Sequence, residues 1–252
     1  MDINKSKYDF NDFVEIIKIL RSPNGCPWDR EQTHESLKSN LIEESYEFLS
    51  EIDKKNIDGM KEELGDVLLQ VLMHAQIAQD DGKFDINDVI DGIAKKMVFR
   101  HPHVFGEDKA VTSDNALDLF NQQKQKEKHF DKQVDVLKSI PESYPALIKA
   151  EKTASKLNKI QPNFFKKTVE ENVELLKQTV VELDNVNEET IGKILWQVVT
   201  LAKIANVDAE IALTSINKRI VEKFENVENK IIENNKKIEE IDGETFKKYW
   251  EN

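Results

Sequence analysis

Val67-Leu-Leu-Gln-Val-Leu-Met-His-Ala-Gln-Ile-Ala78 is the stretch whose reading decides the fold. At 100° per residue, Val67, Leu68, Val71, Leu72 and Ala75 fall on one face together with Leu64, which is the pattern of a helix packed along a single stripe. The spacing predicts a helix from about Gly59 to Ala78. The run returns as Ile194-Leu-Trp-Gln-Val-Val-Thr-Leu-Ala-Lys-Ile-Ala205, 127 residues later. Upstream of each copy, Glu43-Glu44-x-x-Glu47 is echoed at the same offset by Glu170-Glu171-x-x-Glu174. Repetition at one fixed offset means that one structural unit is built twice.

Working outward from that stretch, Phe10, Phe13, Val14, Ile17 and Leu20 predict a short amphipathic helix, stopped by Ser22-Pro-Asn-Gly25. The loop Gly25-Cys-Pro-Trp-Asp29 follows, and Asp29 with Gln32 is spaced as a capping box for the next helix. In that helix Leu37, Leu41, Phe48, Leu49 and Ile52 carry a stripe to about Asp53, and a further helix spans Ile86 to Arg100 before Pro102. Residues 106–145 are polar and include Pro141 and Pro145, so they read as a connector with one helix near 114–130. The expected organisation is an N-terminal domain over 1–105, this connector over 106–145, and a C-terminal domain over 146–252. The fold class is all-α.

Composition narrows the function. The chain has 33% charged and 39% apolar residues, with eight glycines and six prolines in 252 residues, as expected of a protein rich in surface helix. A formal charge of −12 argues against nucleic acid or an anionic membrane as a standing partner, because both repel it. Cys26 is the only cysteine, which rules out an intramolecular disulfide and a Cys-based zinc site. The polar start of the chain and the lack of any run of about 18 apolar residues predict a cytoplasmic protein.

The chemistry is carried by two acidic motifs on consecutive helices. Glu44 and Glu47 lie 60° apart beside one apolar stripe, and Glu63 and Asp66 lie likewise beside the next. A lone ExxE is usually a solvated helix face. Two such pairs along one apolar seam repel each other and are costly to desolvate unless protons or a cation neutralise them. Carboxylates without Cys or a facing His form a hard-oxygen site, suited to Mg²⁺, with Mn²⁺ as a substitute, and poor for zinc. A cation so held would take a triphosphate and activate water. A di-iron carboxylate bundle is disfavoured, because it needs Glu-x-x-His pairs where this chain has Glu47 and Asp66.

Gly25-Cys-Pro-Trp-Asp29, Glu43-Glu44-x-x-Glu47, Glu63-Leu-Gly-Asp66 and Arg100-His-Pro-His-Val-Phe105 occur in the order and spacing of the MazG nucleotide pyrophosphohydrolases, and the chain resembles that family over nearly its full length. The resemblance implies tandem all-α domains forming four-helix-bundle-like units completed by dimerisation, so a homodimer. It also implies Mg²⁺-dependent hydrolysis of nucleoside triphosphates to the monophosphate and pyrophosphate, a housecleaning activity on the nucleotide pool. By position, Glu44, Glu47, Glu63 and Asp66 correspond to the metal ligands, and Glu43 is a neighbouring carboxylate for a second metal or water. Lys124 matches a lysine that follows an aromatic position, where this chain has Phe120. Lys96 and Arg100 are further candidates for phosphate, and Trp28 for the base. His101, His103 and His74 read as structural.

The second half departs from the pattern. Thr190 and Lys193 replace the counterparts of Glu63 and Asp66, and Gln161-Pro-Asn-Phe-Phe165 has no likeness to the Gly-Cys-Pro-Trp-Asp loop. The expectation is a metal site in the first half alone, with the second half building structure.

Overall fold

In the computed structural model, residues 5–127, 132–162, 168–183 and 185–251 are described. They fold into helices with no strand among them, and the chain divides into two compact units, 1–128 and 129–252.

The first unit contains α1 (Phe10–Arg21), α2 (Pro27–Glu31), α3 (Lys38–Lys54), α4 (Ile57–Asp80), α5 (Ile86–Arg100), α6 (Pro102–Phe105) and α7 (Ser113–Glu127). Reciprocal caps start α1 and α5, where Asp9 pairs with Asp12 and Asp85 with Asp88, so that each side chain accepts from the other end's backbone N–H. Asn56 accepts from the Gly59 N–H at the start of α4. The helix expected from Asp29 onward is broken. Thr33 and Ser36 exchange side-chain-to-backbone bonds at 2.9 and 3.1 Å, which gives residues 32–37 a hydrogen-bonded alternative to helix. Asp29 therefore lies inside α2 rather than capping it, and Gln32 Nε2 donates to the Trp28 carbonyl.

The core of this unit gathers at one end of α4. Ile17, Leu37, Leu72, Met73, Ala75, Ile77 and Ile86 are buried together, with Phe13, Val14, Leu20, Leu68 and Leu69 against them. α3 packs along α4 but has no fully buried residue, so beyond Leu37 its predicted stripe stays partly open among the described residues, with Leu41, Leu49 and Ile52 exposed. Arg21 locks the α2 loop to the core end. Its buried guanidinium donates from Nε to Asp80 at 2.9 Å and from Nη1 to the carbonyls of Asp29 and Gln32. The short connection after Asp80, with Gly82 at φ 67°, joins α4 to α5, and the two helices touch.

The second unit contains α8 (Gln133–Lys138), α9 (Ala146–Ile160), α10 (Val169–Val181), α11 (Glu188–Ile204), α12 (Ala209–Glu233), a 3₁₀ turn at Ile238–Glu240 and α13 (Gly243–Glu251). α11 packs on α9, α10 and α12, and Val199, Val227 and Ile231 are among its most buried side chains. Phe224 and Phe246 join α12 to α13 with ring centroids 6.3 Å apart.

The stretch read as a connector is shared between the units. α7 packs on α5 and α6 in the first, and α8 packs on α9 in the second. The last residues of the expected connector helix, 128–130, lie outside the described residues, as do 163–165 of the Gln161–Phe165 segment.

Candidate metal centre

The turn between α3 and α4 sets the site. Lys55 adopts a left-handed conformation at φ 55°, Asn56 caps α4, and Asn56 Nδ2 donates to Glu51 at 2.6 Å. A Cβ on Gly59 would come 2.4 Å from Glu51 Oε2 and 2.6 Å from Asn56 Nδ2, so the absent side chain lets the two helices close on one another. With only Lys55 and Asn56 between them, α3 and α4 run antiparallel. Each presents an acidic residue at its seventh position, Glu44 and Glu63.

These two meet Asp66. One carboxylate oxygen each from Glu44, Glu63 and Asp66 lies within 4.8 Å of the others, all three half-buried. Glu43 and Glu47 are exposed and stand outside that tight group, yet their charges reach it. Burial first, then the like charges of Asp66, Glu47 and Glu43, pushes the Glu44 carboxyl above the ordinary carboxylate range. Burial, then Glu47, Asp66, Glu62 and Glu44, does the same to Glu63. Three converging carboxylates repel one another, which a divalent cation relieves, and a donor set of carboxylates alone suits a hard ion.

Sequence reasoning missed Lys54 at the rim. It is ion-paired with Glu51, and its ammonium is held above its usual range by Glu51 first and also by Glu63 and Glu47. The signal was its position three residues after Glu51, where an intrahelical pair is expected.

The candidate substrate residues fall in two places. Asp66 precedes the end of α4 by fourteen residues and Arg100 follows the start of α5 by fourteen, about 21 Å in each case. Arg100, with Lys96 one turn before it, ends α5. Its guanidinium carbon lies 5.4 Å from the Phe120 ring centre, and it is ion-paired with Glu127 at 2.6 Å. Lys124 is exposed on α7, one turn after Phe120. Trp28 is elsewhere: its loop is clamped to the Asp80 end of α4, about 21 Å along that helix from Asp66, and its ring is 60% exposed rather than plugging a core.

His34, His74 and His101 make contacts between elements. His34 and His74 stack at 5° with their Nδ1 atoms 2.8 Å apart, which fixes the loop before α3 to α4. Burial and the neighbouring His34 lower the His74 pKa. His101 Nδ1 lies 2.6 Å from the Met97 carbonyl, and the His101 ring packs on Phe120.

In the second unit the same sequence positions do different work. Glu171, the counterpart of Glu44, sits at the third position of α10 and accepts the Thr168 N–H at 2.7 Å. Thr190, the counterpart of Glu63, sits at the third position of α11 and accepts the Asn187 N–H at 3.0 Å. Both are capping residues. Among the described residues the only convergent group of three possible ligands is that of Glu44, Glu63 and Asp66.

Comparison with known proteins agrees with the repeat. The MazG nucleotide pyrophosphohydrolase domain is matched twice, at residues 32–105 and again at 160–232. A Thermotoga maritima protein named nucleoside triphosphate pyrophosphohydrolase/pyrophosphatase MazG is 41% identical over 247 residues, covering 96% of this chain and 94% of that protein. The nucleoside triphosphate pyrophosphohydrolase of Escherichia coli K12 is 35% identical over 248 residues, covering 94% of each. A Bacillus subtilis protein, YabN, is 52% identical over 145 residues, which is 58% of this chain and 29% of that one. With both halves matched and two relatives aligned through nearly their whole length, the chain belongs to the MazG nucleotide pyrophosphohydrolase family.

Proposed function

We propose that the first unit hydrolyses nucleoside triphosphates to the monophosphate and pyrophosphate, by attack of water on the α-phosphorus, as a housecleaning enzyme of the nucleotide pool. The observation that carries this is the convergence of Glu44, Glu63 and Asp66 within 4.8 Å, in a protein whose relatives bear that activity in their names. Glu44, Glu63 and Asp66 hold Mg²⁺, with Mn²⁺ as a substitute, and Glu47 is the fourth ligand. The ion supplies charge neutralisation at the phosphates and a more acidic bound water. Glu43 orients water at the edge of the cluster, and Lys96, Arg100 and Lys124 meet the polyphosphate. Trp28 reaches a base only by a route other than its own α4. The deciding experiment is product analysis: pyrophosphate release from a panel of triphosphates supports the reading, and orthophosphate release sinks it.

The working protein is a homodimer on this reading. Ile42, Tyr46, Leu49 and Leu64, each more than half exposed on α3 and α4, give an apolar surface that a symmetric partner covers. Light scattering at micromolar concentration tests it, and a monomeric mass would count against it. The net charge of −12 keeps nucleic acid from being a partner. No helix among the described residues is long and apolar enough to cross a membrane, and the lone cysteine fits a cytoplasmic setting.

A further inference from the structure

We infer that Glu127 is a built-in competitor for the anion site of Arg100, holding the guanidinium until a phosphate group of the bound polyphosphate takes its place. The inference rests on the triphosphate reading above and adds a residue that no motif marks.

Arg100 is buried, with its side chain 10% exposed, so its charge needs an anion beside it. Glu127 supplies one, but incompletely. Nε and Nη2, at 2.9 and 2.6 Å, both donate to the same oxygen, Oε2. A guanidinium edge is matched best by two oxygens side by side, which a phosphate group offers. Glu127 is also the less committed partner. Its side chain is 37% exposed, against 10% for Arg100. Arg100, by contrast, is fixed in place by burial and by the Phe120 ring beneath it. When the two separate, Glu127 is the one that moves.

Location gives the exchange its meaning. Arg100 ends α5, the helix that follows the one carrying Glu63 and Asp66. On the triphosphate reading, the polyphosphate is the anion that takes this guanidinium. Glu127 then sets a threshold, since the apparent affinity for polyphosphate is reduced by the fraction of time that Arg100 is engaged.

The test is Glu127→Gln, which keeps shape and removes charge, read by steady-state kinetics with a nucleoside triphosphate and by inhibition with inorganic tripolyphosphate. KM and the tripolyphosphate inhibition constant should both fall about three- to tenfold, with kcat within about twofold. The gain should vanish when Arg100→Gln is also present. Glu127→Asp, one methylene shorter and still charged, should move both constants the same way by less, and it serves if the glutamine variant folds poorly. Constants that rise would make Glu127 a positioning residue for Arg100, and constants that stay unchanged would make the pair a structural staple; either result overturns the inference. If no triphosphate is hydrolysed to pyrophosphate, the parent reading fails by itself. Calorimetric binding of tripolyphosphate to wild type and Glu127→Gln would still decide the competition.

Discussion

Lys193 Nζ lies 2.5 Å from the Glu189 carboxylate, one turn back along its own helix, while Glu174 is paired with Lys177 at 3.6 Å. The lysine that replaces the counterpart of Asp66 therefore does not stand in for a metal against Glu174. Both pairs are exposed intrahelical contacts of the kind that contribute little to stability.

It follows that Glu174→Gln should change turnover by less than about tenfold, or about 1.4 kcal/mol in the barrier, and should barely move the thermal midpoint. Pyrophosphate release and a melting curve on the purified variant check both. A loss equal to that of a first-unit ligand variant would return the second unit to the chemistry.

Asp66→Asn should behave oppositely. It removes one anionic ligand with almost no change in volume, so turnover should drop by more than about a hundredfold, near 3 kcal/mol, with the helical circular dichroism unchanged. Wild-type activity should vanish with chelator and return with Mg²⁺. Near-normal turnover in Asp66→Asn would remove the first cluster from the mechanism.

The raised pKa values of Glu44 and Glu63 make a prediction about stability with its sign fixed. A carboxyl whose folded pKa lies above its unfolded value, ordinarily near 4.5, favours folding while protonated. That contribution is lost as pH rises through the folded pKa. In chelator, Glu44→Gln should therefore melt higher than wild type at pH 7, and the difference should shrink toward zero below about pH 4. Adding Mg²⁺ at pH 7 should raise wild type more than the variant. Thermal scans across pH, with and without the ion, test this, and a Glu44→Gln protein less stable than wild type in chelator would contradict it.

Arg21→Gln should be costly although it lies at the far end of α4 from the carboxylates. It leaves the Asp29 and Gln32 carbonyls without their charged donor and Asp80 without its partner. A loss of about 1–3 kcal/mol is expected, together with faster amide exchange through residues 25–32. Unchanged stability would mean that the α2 loop is held by other contacts.

What was legible in the sequence was what recurs with helical period. The 127-residue offset pointed to two units, and the spacing of Glu44, Glu47, Glu63 and Asp66 along apolar stripes pointed to a cluster in which Glu44, Glu63 and Asp66 converge and Glu47 stays outside. Contacts between residues far apart in sequence left no such trace. Glu127 reaches Arg100 across 27 residues and Asp80 reaches Arg21 across 59, and neither pair is implied by any motif. The break at 32–37 was missed because Thr33 and Ser36 act through their own backbone rather than through hydrophobic pattern. The stripe of α3 was legible as apolar, but periodicity says which face is greasy and not what lies against it.

The two-residue turn between α3 and α4 works as a gauge. Lengthening one helix by a residue at this turn would rotate the rest of it by about 100° and slide it by about 1.5 Å relative to the turn, enough to aim Glu63 away from Glu44. In the second unit six positions separate Val181 from Glu188, and the residues that correspond to ligands have been absorbed into the helix starts. The loss is thus a ratchet. Thr190→Glu with Lys193→Asp would give the second unit the lettering of the motif but not the helix alignment that brings Glu44, Glu63 and Asp66 together.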